Sequence, residues 1–479
     1  MKTFKYLGFI IAILLAASCS KKDAATPELS VSSSEELFTA AGGTSEVTVL
    51  SNTKWSFSNS ASWFTATAST TDGNGKITFN VQANTTATER SVVIAVTAGS
   101  ISKEIKVRQL GSANSDSIPA DATGMSSNAV QLAAKIKLGW NIGNTLEAIG
   151  GETAWGNPKV TKALIDLVKN SGFNAVRIPC SWDQYVTTTG STQLKTEWLN
   201  RVKEVVQYCV DNGMYAILNI HWDGGWLEEN CTTAKQDAVN AKQKAFWKQI
   251  ATTFRDYDEH LLFASANEPN VSDATGMSVL LSYHQTFINT VRSTGGRNSY
   301  RVLVVQGPST DIEKTNNLMN TLPVDPIANR MMAEIHYYTP YQYCLMTSDQ
   351  SWGKMFYYWG AAYHSTTDLT RNPTWGEEAD VIKYFGMMKT KFVDKGIPVV
   401  LGEYAAIRRT SLTGDALTLH LASRAYYLKY VTQQAKANGI LPFFWDAGGL
   451  GDQGTGIFNR QTNTVFDQQA LDALVQGAQ

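Results

Sequence analysis

The second part of the chain alternates short apolar segments with amphipathic helical stretches, and this pattern restricts the possible folds most strongly. Eight apolar segments are candidate strands, at 136–140, 175–178, 215–220, 261–266, 301–305, 332–335, 399–401 and 441–444. Between the first two, Val160, Leu164 and Val168 recur at helical spacing. Eight strands that are each followed by a helix predict a (β/α)8 TIM barrel over residues 124–479. An open doubly wound sheet is the alternative, and we favour the barrel because no glycine-rich phosphate loop follows any strand.

An N-terminal region with a different pattern precedes the predicted barrel. From 29 to 110, apolar and polar residues alternate, as at Val47 and Val49, and turn signals such as Gly42-Gly43 separate the runs. Several short strands at regular spacing predict a small all-β, immunoglobulin-like sandwich. The polar stretch at 111–123 is typical of a linker between the two domains.

The first residues have the composition of an export signal. A basic start is followed by an apolar run at 7–17 that is too short to span a membrane, and the run ends in LAASC at Cys19. This ending is typical of a bacterial lipoprotein processing site, so we predict a signal peptide at 1–19, lipid attachment at Cys19 and a flexible tether at 20–28. The expected location is the outer membrane, facing the cell exterior. Plain secretion after cleavage near Ala17 is the alternative.

Charge and cysteine spacing exclude several functional classes. The net charge of −1 does not provide the basic surface that nucleic-acid binding needs. The remaining cysteines are widely spaced and form no C-x-x-C pair, which argues against a zinc site but leaves disulfides and free thiols both open. They are Cys180, Cys209, Cys231 and Cys344. The sequence has no G-x-S-x-G motif of a serine hydrolase.

Polar and aromatic residues follow the predicted strands at their carboxyl ends, where (β/α)8 barrels carry their catalytic groups. In chain order they are Trp140-Asn141, Arg177, His221, Asn267-Glu268, His336 with Tyr338, Glu403 and Trp445-Asp446. A purely structural barrel would not need such a set on one rim. The sequence therefore predicts a catalytic site there.

Two of these residues, Glu268 and Glu403, are carboxylates from different strands. Glycoside hydrolysis needs one carboxylic acid to protonate the departing oxygen and one carboxylate to attack or to activate water. The surroundings must separate the two pKa values, and Arg177 and Tyr338 are suitable partners to hold Glu403 as an anion. The pair predicts a glycoside hydrolase.

The histidines do not follow the pattern of a metal-dependent barrel hydrolase, which usually has two histidines one residue apart at an early strand end. Of six histidines only His221 and His336 fall at strand ends. We expect both to form hydrogen bonds with substrate rather than to bind a metal.

The strand-end motifs resemble glycoside hydrolase family 5 from about Met125 to the C-terminus. The similar segments are LGWNIGNTL at 138–146, VRIP at 176–179, NIHWDGGW at 219–226, NEP at 267–269, HYY at 336–338, LGE at 401–403 and FWD at 444–446. The family's shared active-site positions fall on Arg177, His221, Asn267, Glu268, His336, Tyr338, Glu403 and Trp445.

This resemblance implies a role for each position. Glu403 would be the nucleophile and Glu268 the acid/base of a double displacement with retention, and Asn267 would bind the sugar 2-hydroxyl. Arg177 and Tyr338 would orient Glu403. The two histidines would contact the sugar at the cleavage point, and Trp445 would stack beneath it. The family needs no metal and no organic cofactor.

The loop motifs NTLE at 144–147 and ETAWGN at 152–157 resemble the endoglucanase and xyloglucanase branch of the family rather than its mannanases. Candidate outer subsites are Asn144, Trp155, Trp222 and Trp226. Packing under the loops is the alternative for each Trp. Trp222 stands where this branch often has a second His.

The N-terminal sandwich is similar to BACON-type domains, chiefly at Trp55, Trp63, the 84–90 stretch and VRQL at 107–110. Such a domain could bind glycan or act as a spacer. We favour the spacer because these two Trp are expected in the core.

The predicted function is that of a retaining endo-β-1,4-glucanase acting on cellulose-type glucan or xyloglucan, as a monomer on a lipid anchor. A β-mannanase or mixed-linkage glucanase is the alternative enzyme. A non-catalytic surface glycan-binding protein is the alternative from another class.

Overall fold

The computed structural model describes residues 26–38, 42–58, 61–86, 90–109 and 118–479. The predicted signal peptide, Cys19 and most of the tether lie outside these residues. Within the described part of the chain, no helix combines the length and apolar composition that crossing a bilayer requires.

The N-terminal region is a two-sheet sandwich, which confirms the predicted all-β fold. Its strands are β1 (Leu29–Val31), β2 (Glu35–Phe38), β3 (Gly43–Ser51), β4 (Ser56–Phe57), β5 (Phe64–Ala68), β6 (Gly75–Val81), β7 (Arg90–Ala98) and β8 (Ile101–Gln109). One sheet has the order β1-β3-β6-β5 and the other β2-β8-β7-β4. Alternate residues such as Val47 and Val49 are fully buried between the sheets.

The two tryptophans of the sandwich belong to its packing. Trp55 is buried, and its indole N–H donates to the Gly73 carbonyl at 2.8 Å. Trp63 is partly buried, and the Arg90 guanidinium lies over its ring at 4.8 Å. Trp55 is therefore a core residue, as expected, and Arg90 covers one face of Trp63.

The second region is a closed barrel of eight parallel strands, as predicted. The strands that follow the sandwich are β9 (Ile118–Ala120), β10 (Gly139–Ile142), β11 (Ala175–Ile178), β12 (Tyr215–Asn219), β13 (Leu261–Ala264), β14 (Gly295–Gly296), β15 (Leu303–Gln306), β16 (Met331–Tyr337), β17 (Val399–Tyr404), β18 (Ile440–Asp446), β19 (Phe458–Asn459) and β20 (Thr464–Val465). The barrel runs β10-β11-β12-β13-β15-β16-β17-β18 and closes by pairing β18 with β10.

Helices surround the barrel. They are α1 (Ala129–Lys135), α2 (Lys162–Asn170), α3 (Thr196–Asp211), α4 (Gln236–Thr253), α5 (Ala274–Ser293), α6 (Ile312–Leu318), α7 (Tyr341–Cys344), α8 (Glu378–Lys391), α9 (Gly414–Ala437) and α10 (Gln468–Gly477). The first barrel strand starts at Gly139 rather than at Ile136, because Ile136 is still the C-cap of α1.

The end of the barrel opposite the predicted site is apolar. Leu132 of α1 joins a buried cluster with strand residues such as Val304, Met332 and Phe443. A Cβ on Gly139 would lie 2.1 Å from the Phe443 ring, so the aromatic side chain needs a glycine opposite it. This end is a packed core, not a channel.

The sandwich lies against helices α4 and α5. Gln236 donates to the Val31 carbonyl at 2.7 Å, Asn289 donates to the Glu35 carbonyl at 3.1 Å, and Lys244 forms an ion pair with Glu35. β9, at 118–120, pairs with β14, so this part of the predicted linker is attached to the barrel domain.

The four described cysteines, Cys180, Cys209, Cys231 and Cys344, are all buried free thiols, which decides between the two alternatives that the sequence left open.

Candidate active site

The predicted site residues meet at the carboxyl ends of the barrel strands. Arg177, His336, Glu403 and Trp445 are in β11, β16, β17 and β18, while His221, Asn267, Glu268 and Tyr338 directly follow β12, β13 or β16. In strand pairing His336 lies beside Glu403, at an irregularity in the register of β17. Such irregularities are common next to active sites, where they redirect a side chain.

Glu403 is held by two hydrogen bonds. Arg177 Nη1 donates to Glu403 Oε1 at 2.9 Å, and the Tyr338 hydroxyl donates to Oε2 at 2.9 Å. Burial and the nearby charge of Glu268 raise the pKa of Glu403, while the positive charges of His336 and Arg177 oppose this rise. The two donors fix the carboxylate in one orientation, as a nucleophile requires.

Glu268 is more accessible, with 42% of its side chain exposed. Its Oε1 accepts from His336 Nδ1 at 2.6 Å and from the Thr310 hydroxyl at 3.4 Å. Burial acts to raise the pKa of Glu268, but the hydrogen bond from His336 outweighs burial and holds the pKa below its ordinary value. Glu268 therefore faces solvent, whereas Glu403 is shielded from it.

The two carboxyls are close enough to act on one sugar. One oxygen of Glu268, one of Glu403 and a His336 nitrogen lie within 4.8 Å of one another. Retaining glycosidases have carboxyl groups about 5–5.5 Å apart. Groups this close titrate as a pair, so the location of their proton depends on the surroundings. A bound sugar would displace water from Glu268 and so raise the pKa of that carboxyl. Glu403 would keep its two hydrogen-bond donors, so the proton that the pair shares would move to Glu268.

Arg177 connects the nucleophile to the residue expected to bind the 2-hydroxyl. Its Nη2 donates to Asn267 Oδ1 at 2.7 Å, while Nη1 also donates to Asn141 Oδ1 at 3.1 Å. The guanidinium is fully buried between Glu403 and Glu334, whose Oε1 lies 2.8 Å from Nε. Two carboxylates therefore balance the buried charge.

Glu334 is a site residue that the sequence analysis missed. It is fully buried in β16 and faces the same way as His336, because alternate strand residues share a face. Its Oε1 would lie 2.0 Å from a Cβ on Gly402, so the glycine before Glu403 makes room for it. A glutamate inside an otherwise apolar strand was the signal that could have revealed it.

The two rim histidines have opposite protonation. Burial alone would lower the pKa of His336, but Glu403, Glu268 and Glu334 raise it to about 10, so its ring is an imidazolium at neutral pH. Burial, together with the charges of Arg177 and His336, lowers the pKa of His221 well below its ordinary value. The neutral His221 ring stacks on Trp445, with centroids 5.8 Å apart and planes within 11°.

Glu268, His336 and Glu403 are spaced closely enough to hold a small cation. However, both ring nitrogens of His336 face carboxylates, Glu268 at 2.6 Å and Glu334 at 3.3 Å. An imidazolium that donates on both sides has no lone pair for a metal. This donor set fits acid/base chemistry better than metal binding.

Two of the candidate subsite tryptophans are exposed. Trp155 is 45% exposed and Trp222 is 42% exposed. Trp222 and Asp223 have positive φ angles of 21° and 56°, and the Asp223 carboxylate stabilises this strained turn by accepting from the Trp182 N–H at 2.9 Å. Asn144 also has a positive φ, of 57°, in the loop after β10.

Trp226 has the contacts expected for the alternative, packing under the loop. Its indole N–H donates to Asp223 at 2.8 Å, Phe246 packs against its ring edge-to-face, and Lys242 covers it at 4.7 Å. These contacts make Trp226 a support for the loop.

A further aromatic residue lies beside the acid/base. A cavity of about 350 Å³ is lined by Glu268, Thr310, Tyr338 and Trp375 among others, and Trp375 is 45% exposed. Trp375 belongs to no strand-end motif, so only the folded chain reveals it.

Comparisons with known proteins agree with this geometry. The family model described as cellulase (glycosyl hydrolase family 5) matches residues 141–451, and the model of the BACON domain, a putative N-terminal binding domain, matches 53–110. A xyloglucan-specific endo-β-1,4-glucanase of Bacteroides ovatus is 35% identical over 498 residues, which cover 99% of this chain and 96% of that protein.

Solved structures are similar as well. A Bacteroides ovatus family 5 xyloglucanase in complex with a XXXG heptasaccharide superposes with a TM-score of 0.73 at 34% identity, covering 95% of this chain and all of that one. A broad-specificity endoglucanase of Ruminococcus champanellensis with bound cellotriose gives 0.63 at 34% identity, covering 73% of this chain and 98% of that one. With the catalytic carboxyls, the barrel and the family model in agreement, the chain belongs to glycosyl hydrolase family 5.

Proposed function

We propose that this protein is a retaining endo-β-1,4-glucanase whose substrate is xyloglucan. The observation that carries the proposal is the pair Glu268 and Glu403, with oxygens within 4.8 Å at the open end of the barrel. One carboxyl is held by Arg177 and Tyr338, and the other is exposed. This asymmetry separates the roles of nucleophile and acid.

The reaction has two steps at one carbon. A Glu403 oxygen attacks the anomeric carbon, the bond to the leaving oxygen breaks, and Glu268 gives that oxygen its proton. Glu268, now a carboxylate, then takes a proton from water, whose oxygen displaces Glu403 from the anomeric carbon. Two inversions give retention. The positive charge that develops on the sugar lies close to the Glu403 carboxylate.

The choice of xyloglucan rests on the full-length similarity to the Bacteroides ovatus enzyme, which includes the N-terminal domain. An unbranched β-1,4-glucan is the second candidate, because the Ruminococcus champanellensis relative is a broad-specificity enzyme solved with cellotriose. Leaving-group sugars would lie in the cavity beside Glu268, where Trp375 can stack on them.

Product analysis on xyloglucan, carboxymethyl cellulose, barley glucan and mannan tests the substrate. We expect oligosaccharides of intermediate size from xyloglucan with the highest kcat/KM, and proton NMR should show the β-anomer first. A higher kcat/KM on unbranched glucan would favour the second candidate. Release of sugar from mannan alone would contradict both, and no release from any of the four would favour a glycan-binding protein.

Azide rescue tests the two roles separately. A small anion can occupy the space left by either side chain. Glu403→Ala with azide should form an α-glycosyl azide, because only one displacement occurs. Glu268→Ala with azide should form the β-glycosyl azide, because azide replaces water in the second step. Exchanged products would reverse the assignment of nucleophile and acid/base.

Export on a lipid anchor at Cys19 is part of this proposal. Support comes from the LAASC ending of the apolar run at 7–17. Radiolabelled palmitate should be incorporated into the full-length protein, and Cys19→Ser should abolish the label and release the enzyme from the membrane fraction. A labelled Cys19→Ser protein would contradict the assignment.

A further inference from the structure

We propose that a third glutamate, Glu228, positions the acid/base Glu268. This inference rests on the proposed function, because it concerns the protonation of the leaving group by Glu268. Glu228 lies in the 3₁₀ turn Glu228–Asn230, in the loop that follows β12, and is only 5% exposed.

Glu228 supports the segment that carries the acid/base from behind. Its Oε1 accepts the backbone N–H of Glu268 at 2.7 Å, and its own carbonyl accepts the N–H of Asn270 at 2.8 Å. Pro269, between them, has no N–H to donate. One residue therefore binds both available backbone donors on either side of Pro269, which fixes the direction of the Glu268 side chain.

The same carboxyl orients the neighbouring amide. The Asn267 oxygen accepts from Arg177 at 2.7 Å, and the Asn267 side chain lies close enough to Glu228 to lower the pKa of that carboxyl. Because the Arg177 guanidinium fixes the Asn267 oxygen, the NH2 group of the same amide points away from Arg177. Glu228 and Arg177 together determine which atom of Asn267 faces the sugar.

The charges around Glu228 determine when it ionises. Burial raises the pKa of Glu228 to about 8, and the charges of Glu268 and Glu403 raise it too. The thiol of Cys231 is also nearby, and burial raises its pKa to about 12, so it stays neutral. Glu228 is therefore a neutral acid at pH 7, which avoids a third negative charge beside the catalytic pair.

The interaction between Glu228 and Glu268 is reciprocal. If an ionised Glu268 raises the pKa of Glu228, an ionised Glu228 raises the pKa of Glu268 by the same amount. As the pH rises past about 8, Glu228 acquires its charge. By then Glu268 has already lost its proton, because its pKa lies below the ordinary value, so Glu228 acts on the acid/base through its hydrogen bonds rather than through its charge.

The chain offers a matched control. Glu229, the next residue, is exposed and accepts from the Asn270 side chain at 3.3 Å. Glu228→Gln retains an acceptor for the backbone N–H of Glu268. We expect it to keep kcat at pH 6 within about tenfold of wild type. Glu229→Ala, the control for Glu228→Ala, should keep the wild-type kcat.

Glu228→Ala tests the positioning role. Its kcat/KM on xyloglucan should fall by about a hundredfold or more. The change in kcat/KM should be much smaller for a 2,4-dinitrophenyl glycoside, whose leaving group needs no protonation. A general loss of folding would lower both values equally, and equal losses on the two substrates would overturn the inference. An inactive wild type would instead overturn the proposed function.

Discussion

The two ends of the barrel are built from the same eight strands but are packed in opposite ways. At the end opposite the catalytic site, called the lower end, Phe443 and its neighbours form a dry apolar cluster against α1. At the carboxyl ends of the strands, called the upper end, Arg177, Glu334 and Glu403 point toward one another with almost no exposure to water. The lower end resembles any protein core, and the upper end contains charges that burial alone would disfavour.

This difference shows where stability and activity are located. Apolar burial at the lower end favours folding without specifying any chemistry. Like charges at the upper end, such as Glu268 beside Glu403, disfavour the folded state but prepare the site for reaction. Substitutions at the upper end should therefore reduce activity, and substitutions at the lower end should reduce stability.

The largest expected effect is at Glu403. Glu403→Ala should lower kcat/KM on xyloglucan by at least about 10⁴-fold, because it removes the nucleophile. Reducing-sugar assays measure the loss. Glu197→Ala, at an exposed position in α3, is the control. More than a tenth of wild-type activity in Glu403→Ala would contradict the assignment.

The next effect is at Glu334, which touches no substrate in the proposed mechanism. Glu334→Gln should lower kcat by about 10- to 100-fold, or about 1.4–2.8 kcal/mol. The cause is the loss of the Glu334 negative charge, which lies between Arg177 and His336. The same loss should lower the pKa of His336. Kinetics and ¹⁵N NMR of the ring check both. Glu104→Gln, exposed on the sandwich, should change neither. An unchanged His336 titration would show that Glu334 does not set its charge.

The lower end should respond in the opposite way. Gly139→Ala places a methyl group 2.1 Å from the Phe443 ring and should destabilise the protein by about 1–3 kcal/mol. Activity per folded molecule should remain near wild type. Gly386→Ala is the matched control, because nothing lies within 4 Å of its added Cβ in helix α8, and it should stabilise by about 0.5–1 kcal/mol. Denaturant unfolding measures both, and a neutral Gly139→Ala would show that Phe443 can move aside.

The most gradual effect is the dependence of stability on pH. The carboxylates around His336 raise its pKa from 6.5 to about 10, although burial opposes this. Its contribution to stability is fully present below pH 6.5 and is lost as the pH rises through about 10. The thermal midpoint should therefore fall over this interval, and less steeply in Glu334→Gln. Equal slopes in the two proteins would contradict the proposed charge network.

Some of the site could be predicted from the sequence because its signals are local. Arg177, Asn267 and Glu403 stand at strand ends, and in a barrel all such ends share one rim. Glu228 and Trp375 stand in loops, where no repeating pattern indicates which way a side chain points. The choice between a subsite and packing stayed open at Trp226 for the same reason, since the contacts that cover it come from α4.

The amino-acid sequence by itself determined the sandwich, the eight barrel strands and the positions of the two catalytic glutamates. Hydrophobic period and turn residues are properties of neighbouring positions, and they need no knowledge of the fold. Only the tertiary structure decided which carboxyls are buried, which is exposed and which are ionised. Those properties depend on groups such as Arg177 and Glu334, which are far apart in the chain and meet only when the barrel closes.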